Sequence, residues 1–119
     1  MSLCIAAGAT LLALSASVFT LSWDHSVEKT AWSETWSVTA AGLVVTAARI
    51  EGSGAGMDPP EDAVFDGSGW IYRPHLPPLP RLVLADSGAA GSWTVCAGDR
   101  CLALGGSGGE PIVLEPCRP

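Results

Sequence analysis

The alternation that runs from Val18 to Val38, VFTLSWDHSVEKTAWSETWSV, restricts this chain to a β hairpin with one dry face. Successive side chains of a strand point to opposite faces. Phe19, Leu21, Trp23, His25 and Val27 therefore share one side, and Thr20, Ser22, Asp24 and Ser26 the other. In the second strand Trp32, Glu34, Trp36 and Val38 share a face, with Ser33, Thr35 and Ser37 opposite. Three indoles anchor the dry side. If Glu28, Lys29, Thr30 and Ala31 form the connection, Val27 faces Trp32, His25 faces Glu34, Trp23 faces Trp36 and Leu21 faces Val38. A two-residue turn would move the partners and keep the faces. On the first register His25 and Glu34 meet among indoles, where a lone charge is costly and a hydrogen-bonded pair is tolerated. That pair is either a binding site or a structural His–carboxylate contact.

A chain of 119 residues makes one domain, 1–119, and buries roughly 65% of its unfolded surface. Apolar residues at 48%, charged residues at only 15% and five tryptophans specify an ordered core. Fourteen glycines and nine prolines between short apolar runs specify many short strands and turns. The expected class is all-β: about nine short, mainly antiparallel strands as a sandwich or a partly open barrel. A net charge of -6 repels a phosphate backbone, so nucleic acid is not expected as a partner.

Four cysteines allow three disulfide connectivities. Cys96 and Cys101 flank a hairpin tip, Ala97-Gly98-Asp99-Arg100, where opposed positions lie within bridging distance. Cys4 and Cys117 would then join the two ends of the chain. Two bridges fit an oxidising compartment, although four small buried thiols would look the same in sequence. The Cys96-x4-Cys101 spacing has no matching second half for zinc, and neither a metal nor another cofactor is expected.

Residues 1 to 23 carry no charge. Leu3 to Leu14 with Ser15-Ala16-Ser17 resembles a signal peptide, but no Lys or Arg stands in front of it. The preferred reading is two strands, Leu3 to Ala7 and Thr10 to Leu14, turning at Gly8. Further strands are expected at Leu43 to Glu51, Trp70 to Arg73, Arg81 to Ala85, Ser92 to Ala97, Arg100 to Leu104 and Pro111 to Leu114. Trp93 and Leu102 should join the core of the hairpin indoles. Gly52-Ser53-Gly54-Ala55-Gly56 permits unusual backbone shapes and could present bare N–H groups to an anion. Asp58-Pro59 has the form of a helix cap, yet Asp58, Glu61 and Asp62 would oppose that anion. Arg73 to Pro80, RPHLPPLP, should be an extended polyproline crossing between strands or sheets, with His75 solvated.

His25-Ser26-Val27-Glu28-Lys29-Thr30, followed by Gly54-Ala55-Gly56-Met57, resembles the bacterial family catalogued as domain of unknown function 1850. The resemblance covers nearly the whole chain. In that family the first motif usually continues Thr-Pro-Val-Glu-Glu, whereas here Ala31-Trp32-Ser33-Glu34 follows and one carboxylate of the pair is missing. The second motif usually reads Gly-Ala-Gly-Leu-Pro, and here Asp58 separates Met57 from Pro59. The resemblance implies an all-β domain, often encoded beside TRAP-type transporters that use an extracytoplasmic binding protein, with no activity assigned.

A non-enzymatic accessory or interaction protein of a TRAP-type transporter is therefore the first expectation, with the membrane or binding subunit as partner. The alternative is a small-ligand, anion-binding module. Its pocket would be shared by His25, Ser26, Glu28, Lys29 and Glu34 of the hairpin and by Gly54, Ala55, Gly56 and Met57 of the loop. Catalysis is not expected, because His25 and Ser26 point to opposite faces of one strand. The expected location is the cell envelope or periplasm, with the cytoplasm as the alternative in the absence of a convincing signal peptide.

Overall fold

The computed structural model describes residues 1–24, 31–51, 61–86, 92–106 and 109–118, and the statements below concern these residues. They form eleven strands: β1 (Ser2–Ala7), β2 (Thr10–Leu14), β3 (Val18–Asp24), β4 (Ala31–Thr39), β5 (Gly42–Glu51), β6 (Val64–Phe65), β7 (Gly69–Tyr72), β8 (Leu82–Leu84), β9 (Ser92–Ala97), β10 (Arg100–Gly105) and β11 (Ile112–Cys117). No helix occurs among the described residues. The all-β expectation holds. Beyond the expected strands there is the two-residue β6, which pairs with β7.

The strands divide into a small sheet, β2-β1-β11-β8, and a large one, β10-β9-β3-β4-β5-β7-β6. Every pairing is antiparallel. Neither sheet closes on itself, so the architecture is a sandwich and not a barrel. The dry core between the sheets contains Leu3, Ile5, Leu14, Leu84, Ile112 and Leu114 of the small sheet. From the large sheet it takes Phe19, Leu21, Trp36, Val38, Leu43, Val45, Val95 and Leu104. Trp93 and Leu102 pack against this cluster, as their alternation requires.

Two local features set the register of the large sheet. At one end Gly42 adopts a φ of 134°, and a side chain there would collide with the backbone carbonyl of Leu79. Glycine thus lets the crossing segment exchange two hydrogen bonds with Leu43, at 2.7 and 2.9 Å. This anchors the expected extended crossing, which carries the chain from β7 in the large sheet to β8 in the small one. In mid-strand the ladder between β4 and β5 shifts between Thr35 and Trp36. Thr35 pairs with Ala47 and Trp36 with Val45, so Thr46 is the extra residue of a bulge, and its hydroxyl donates to the Thr35 carbonyl. The core face of β5 therefore switches from Leu43 and Val45 to Ala48 and Ile50.

Both expected disulfides are present. Cys96 and Cys101 are directly opposed across β9 and β10, with Cα atoms 4.1 Å apart. Cys4 joins Cys117 diagonally across β1 and β11, with Cα atoms 5.8 Å apart. The pair is compatible with an oxidising compartment. Because restraint of the unfolded chain grows with loop length, closing a separation of 113 residues should contribute about 4–5 kcal/mol and closing one of five roughly 2 kcal/mol. Replacing Cys4 and Cys117 by serine should therefore lower the urea midpoint about twice as far as replacing Cys96 and Cys101. Equal losses would show that native-state packing, not chain restraint, sets the contribution of each bridge.

Candidate functional site

On the core side of the large sheet, opposed residues of neighbouring strands line up in rows. One row is Leu104, Trp93, Trp23, Trp32, Ile50, Trp70 and Phe65. It gathers four of the five tryptophans from four different strands. Trp23 stacks on Trp32 with ring centroids 6.1 Å apart, Trp93 tilts onto Trp23 at 5.1 Å, and Phe65 onto Trp70 at 5.2 Å. The next row is Leu102, Val95, Leu21, Glu34, Ala48 and Tyr72. Beyond it stand Phe19, Trp36 and Val45, all fully buried, with Phe19 stacked on Trp36. Burial falls along the strands from this dry row to the half-buried indoles of Trp23, Trp32, Trp70 and Trp93.

Glu34 sits at that transition. Its cross-strand neighbours, Leu21 and Ala48, are buried to 1% and 5% exposure, and its neighbours along the strand on the same face are Trp32 and Trp36. The indole Nε1 of Trp36 donates to its Oε1 at 3.1 Å. Burial pushes the carboxyl upward from the usual glutamate value of 4.5, and the Trp36 hydrogen bond recovers only part of that cost. Tyr72 is also pushed upward, first by burial and then by the negative charge of Glu34. Glu34 is thus a half-buried carboxylate in a row that is apolar but for itself and Tyr72.

No basic side chain of the described strands neutralises it. Arg49 lies on the opposite face of β5, since its partner Ser33 is on the opposite face of β4. There it binds Ser68 Oγ at 2.7 Å and Asp66 at 3.4 Å. Asp66 in turn accepts backbone hydrogen bonds from Ser68 and Gly69, which, with Arg49, hold its carboxyl down at about 2. This clamp fixes the turn into β7 and thereby the position of Trp70 and Tyr72. Arg100 is three strands away from Glu34 in the order of the sheet.

The hairpin register differs from the one expected for a four-residue connection. Glu34 opposes Leu21 and not His25, Trp36 opposes Phe19 and not Trp23, and Trp32 opposes Trp23 and not Val27. Leu21 likewise does not face Val38, which pairs with Leu43 of β5. The ladder is centred two residues earlier, with Asp24 against Ala31, because that alignment stacks Trp23 on Trp32 and Phe19 on Trp36. The faces themselves are as expected. Of the expected site residues, Glu34 alone is described; His25, Ser26, Glu28, Lys29, Gly54, Ala55, Gly56 and Met57 lie outside the described residues. Tyr72, Trp70 and Ala48 were not singled out from sequence. Their alignment with Glu34 depends on the bulge in β5, for which the sequence offers only a run of mixed small residues, Val45-Thr46-Ala47-Ala48.

The uncompensated charge has a testable cost. A carboxyl raised on folding is disfavoured in its ionised form, so the penalty appears as pH rises through the unfolded value and is complete above the folded one. Glu34→Gln keeps an acceptor for Trp36 Nε1 and should raise Tm by a few degrees at neutral pH, with the gain shrinking toward pH 4. A lowered Tm at neutral pH would mean that the ionised carboxylate is stabilising.

Comparison with known proteins places the chain. No curated protein and no solved structure matches it. The family model described as Domain of unknown function (DUF1850) matches residues 19–104, which run from β3 into β10 and cover all of the large sheet but its end residues Val18 and Gly105. The chain belongs to the DUF1850 family.

Proposed function

We propose that this domain is a non-enzymatic binding module that takes a small ligand on the core side of its large sheet, around Glu34 and the neighbouring indoles. The observation that carries the proposal is the half-buried Glu34 carboxylate, to which the described residues give one hydrogen bond among apolar neighbours. Marginal stability gives little reason to keep such a group unless something outside the fold uses it. Its neighbours Leu21, Ala48, Trp32 and Trp36 supply neither a nucleophile nor a second carboxyl to divide acid and base roles with it. Indoles beside a polar group are instead the composition of a recognition surface.

The module would serve as an accessory of a TRAP-type solute transporter in the bacterial cell envelope. Support comes from the neighbourhood that the family resemblance implies and from two disulfides that suit an oxidising compartment. A second reading places an anion between residues 25–30 and 54–57. It is favoured by the positions of the strand ends: Asp24 pairs with Ala31, and Ile50, one residue before the end of β5, pairs with Trp32. The described ends of β3, β4 and β5 that flank these segments in sequence thus lie at one end of the large sheet.

Affinity purification of tagged protein from solubilised native membranes tests the accessory role. Recovery of a transporter membrane or binding subunit is expected. Recovery of the unaccompanied domain would remove that role and leave the ligand-binding surface to be judged separately.

A further inference from the structure

Glu34 presents two carboxylate oxygens, and the described residues satisfy one of them. Oε1 accepts from Trp36 Nε1 at 3.1 Å, and no other hydrogen bond or ion pair reaches the side chain from the described residues. An ionised carboxylate held among Leu21, Ala48, Trp32 and Trp36 has lost much of its hydration without gaining a counter-charge. Arg49 is committed to Asp66 and Ser68 on the other face, and Arg100 stands three strands away. The missing partner is therefore a cation that comes from outside these strands.

The surroundings define what kind of cation fits. A bare metal ion needs several oxygen, nitrogen or sulfur donors, and no group of three His, Cys, Asp or Glu side chains gathers among the described residues. A sugar would need several hydrogen-bonding groups, whereas the row here offers the Glu34 carboxylate and, beyond Ala48, the Tyr72 hydroxyl. An anion meets the same charge that destabilises the empty site. An alkylated ammonium group matches on every count. It brings a diffuse positive charge to the free oxygen, its weakly hydrated surface loses little on entering an apolar row, and the indole faces attract it through their quadrupoles.

Resting on the binding-module reading, we infer that the ligand is a small organic cation, a substituted amine or quaternary ammonium compound, with its charge against the unsatisfied oxygen of Glu34 and its apolar body along the Trp32 and Trp23 indoles. The interaction is one of charge and aromatic contact, with no bond made or broken. The two carboxylate oxygens divide the work: Oε1 is held by Trp36 and fixes the orientation, and Oε2 receives the ligand.

The test compares three probes on the full chain, with indole N–H and Glu34 carboxyl resonances as the readout: choline, its neutral carbon isostere 3,3-dimethyl-1-butanol, and acetate. Choline should shift the Glu34, Trp32 and Trp23 signals in a saturable manner, at least ten-fold more tightly than the isostere, with no response to acetate. Glu34→Gln should remove that ten-fold preference while retaining native indole dispersion and a Tm no lower than that of the parent chain, so that loss of binding is separated from loss of fold. Equal binding of the isostere, or an unchanged choline affinity in Glu34→Gln, overturns the cation assignment and leaves a binding surface of another class. Saturable response to acetate at these same resonances overturns it in favour of an anion. If none of the three probes moves these resonances, the cation assignment and the binding surface fall together, whatever the membrane purification recovers.

Discussion

The stacking of Trp23 on Trp32 is the contact on which the large sheet depends. A strand pair with one dry face can slip by two residues and keep every side chain on its proper side, so hydrophobic patterning alone does not choose the register. A slip of two would set Trp23 against Glu34 and separate the indoles. Aromatic pairs contribute about 0.5–1.5 kcal/mol beyond the area they bury, and Phe19 on Trp36 adds a second such contact in the same register. With β3 and β4 aligned in this way, β9 and β5 follow on either side, and Trp93 and Trp70 enter the same line.

That alignment also decides where Glu34, the half-buried acid of β4, goes. Glu34 falls between a dry row of Phe19, Trp36 and Val45 and a half-open row of indoles, close enough to the first to lose water. On the opposite face of the same sheet Asp66 has been given every stabilising partner that Glu34 lacks: two backbone N–H groups, a guanidinium and a hydroxyl. The two carboxyls are consequently driven in opposite directions. One is a structural clamp at a turn, and the other is a half-buried acid with a single hydrogen bond from the described residues.

Much of the fold was legible because its signals are local. Alternation gave the faces of β3 and β4, Gly8 marked the turn between β1 and β2, and the spacing around Gly98-Asp99 paired Cys96 with Cys101. Elimination then paired Cys4 with Cys117. What was not legible depends on contacts between strands distant in sequence. The hairpin register rests on indole stacking and on the docking of β9, so the expected His25–Glu34 opposition gave way to Leu21–Glu34. The bulge at Thr46 reverses the inward face of β5 midway and brings Ala48, and through it Tyr72, into line with Glu34. A strict period of two would have put Ala47 and Arg49 there. Glu34 itself was singled out by its company in the pattern, an acid at an apolar position between two tryptophans, although its partner was misassigned.

The most direct measurement is a carbon-detected NMR titration of the Glu34 carboxyl in the ligand-free protein between pH 3 and 8. A midpoint above the ordinary glutamate value of 4.5 is expected, since burial outweighs the hydrogen bond from Trp36. A midpoint at or below that value would contradict the central claim, because it would mean that the folded protein already supplies the hydration or the positive charge that Glu34 is held here to lack.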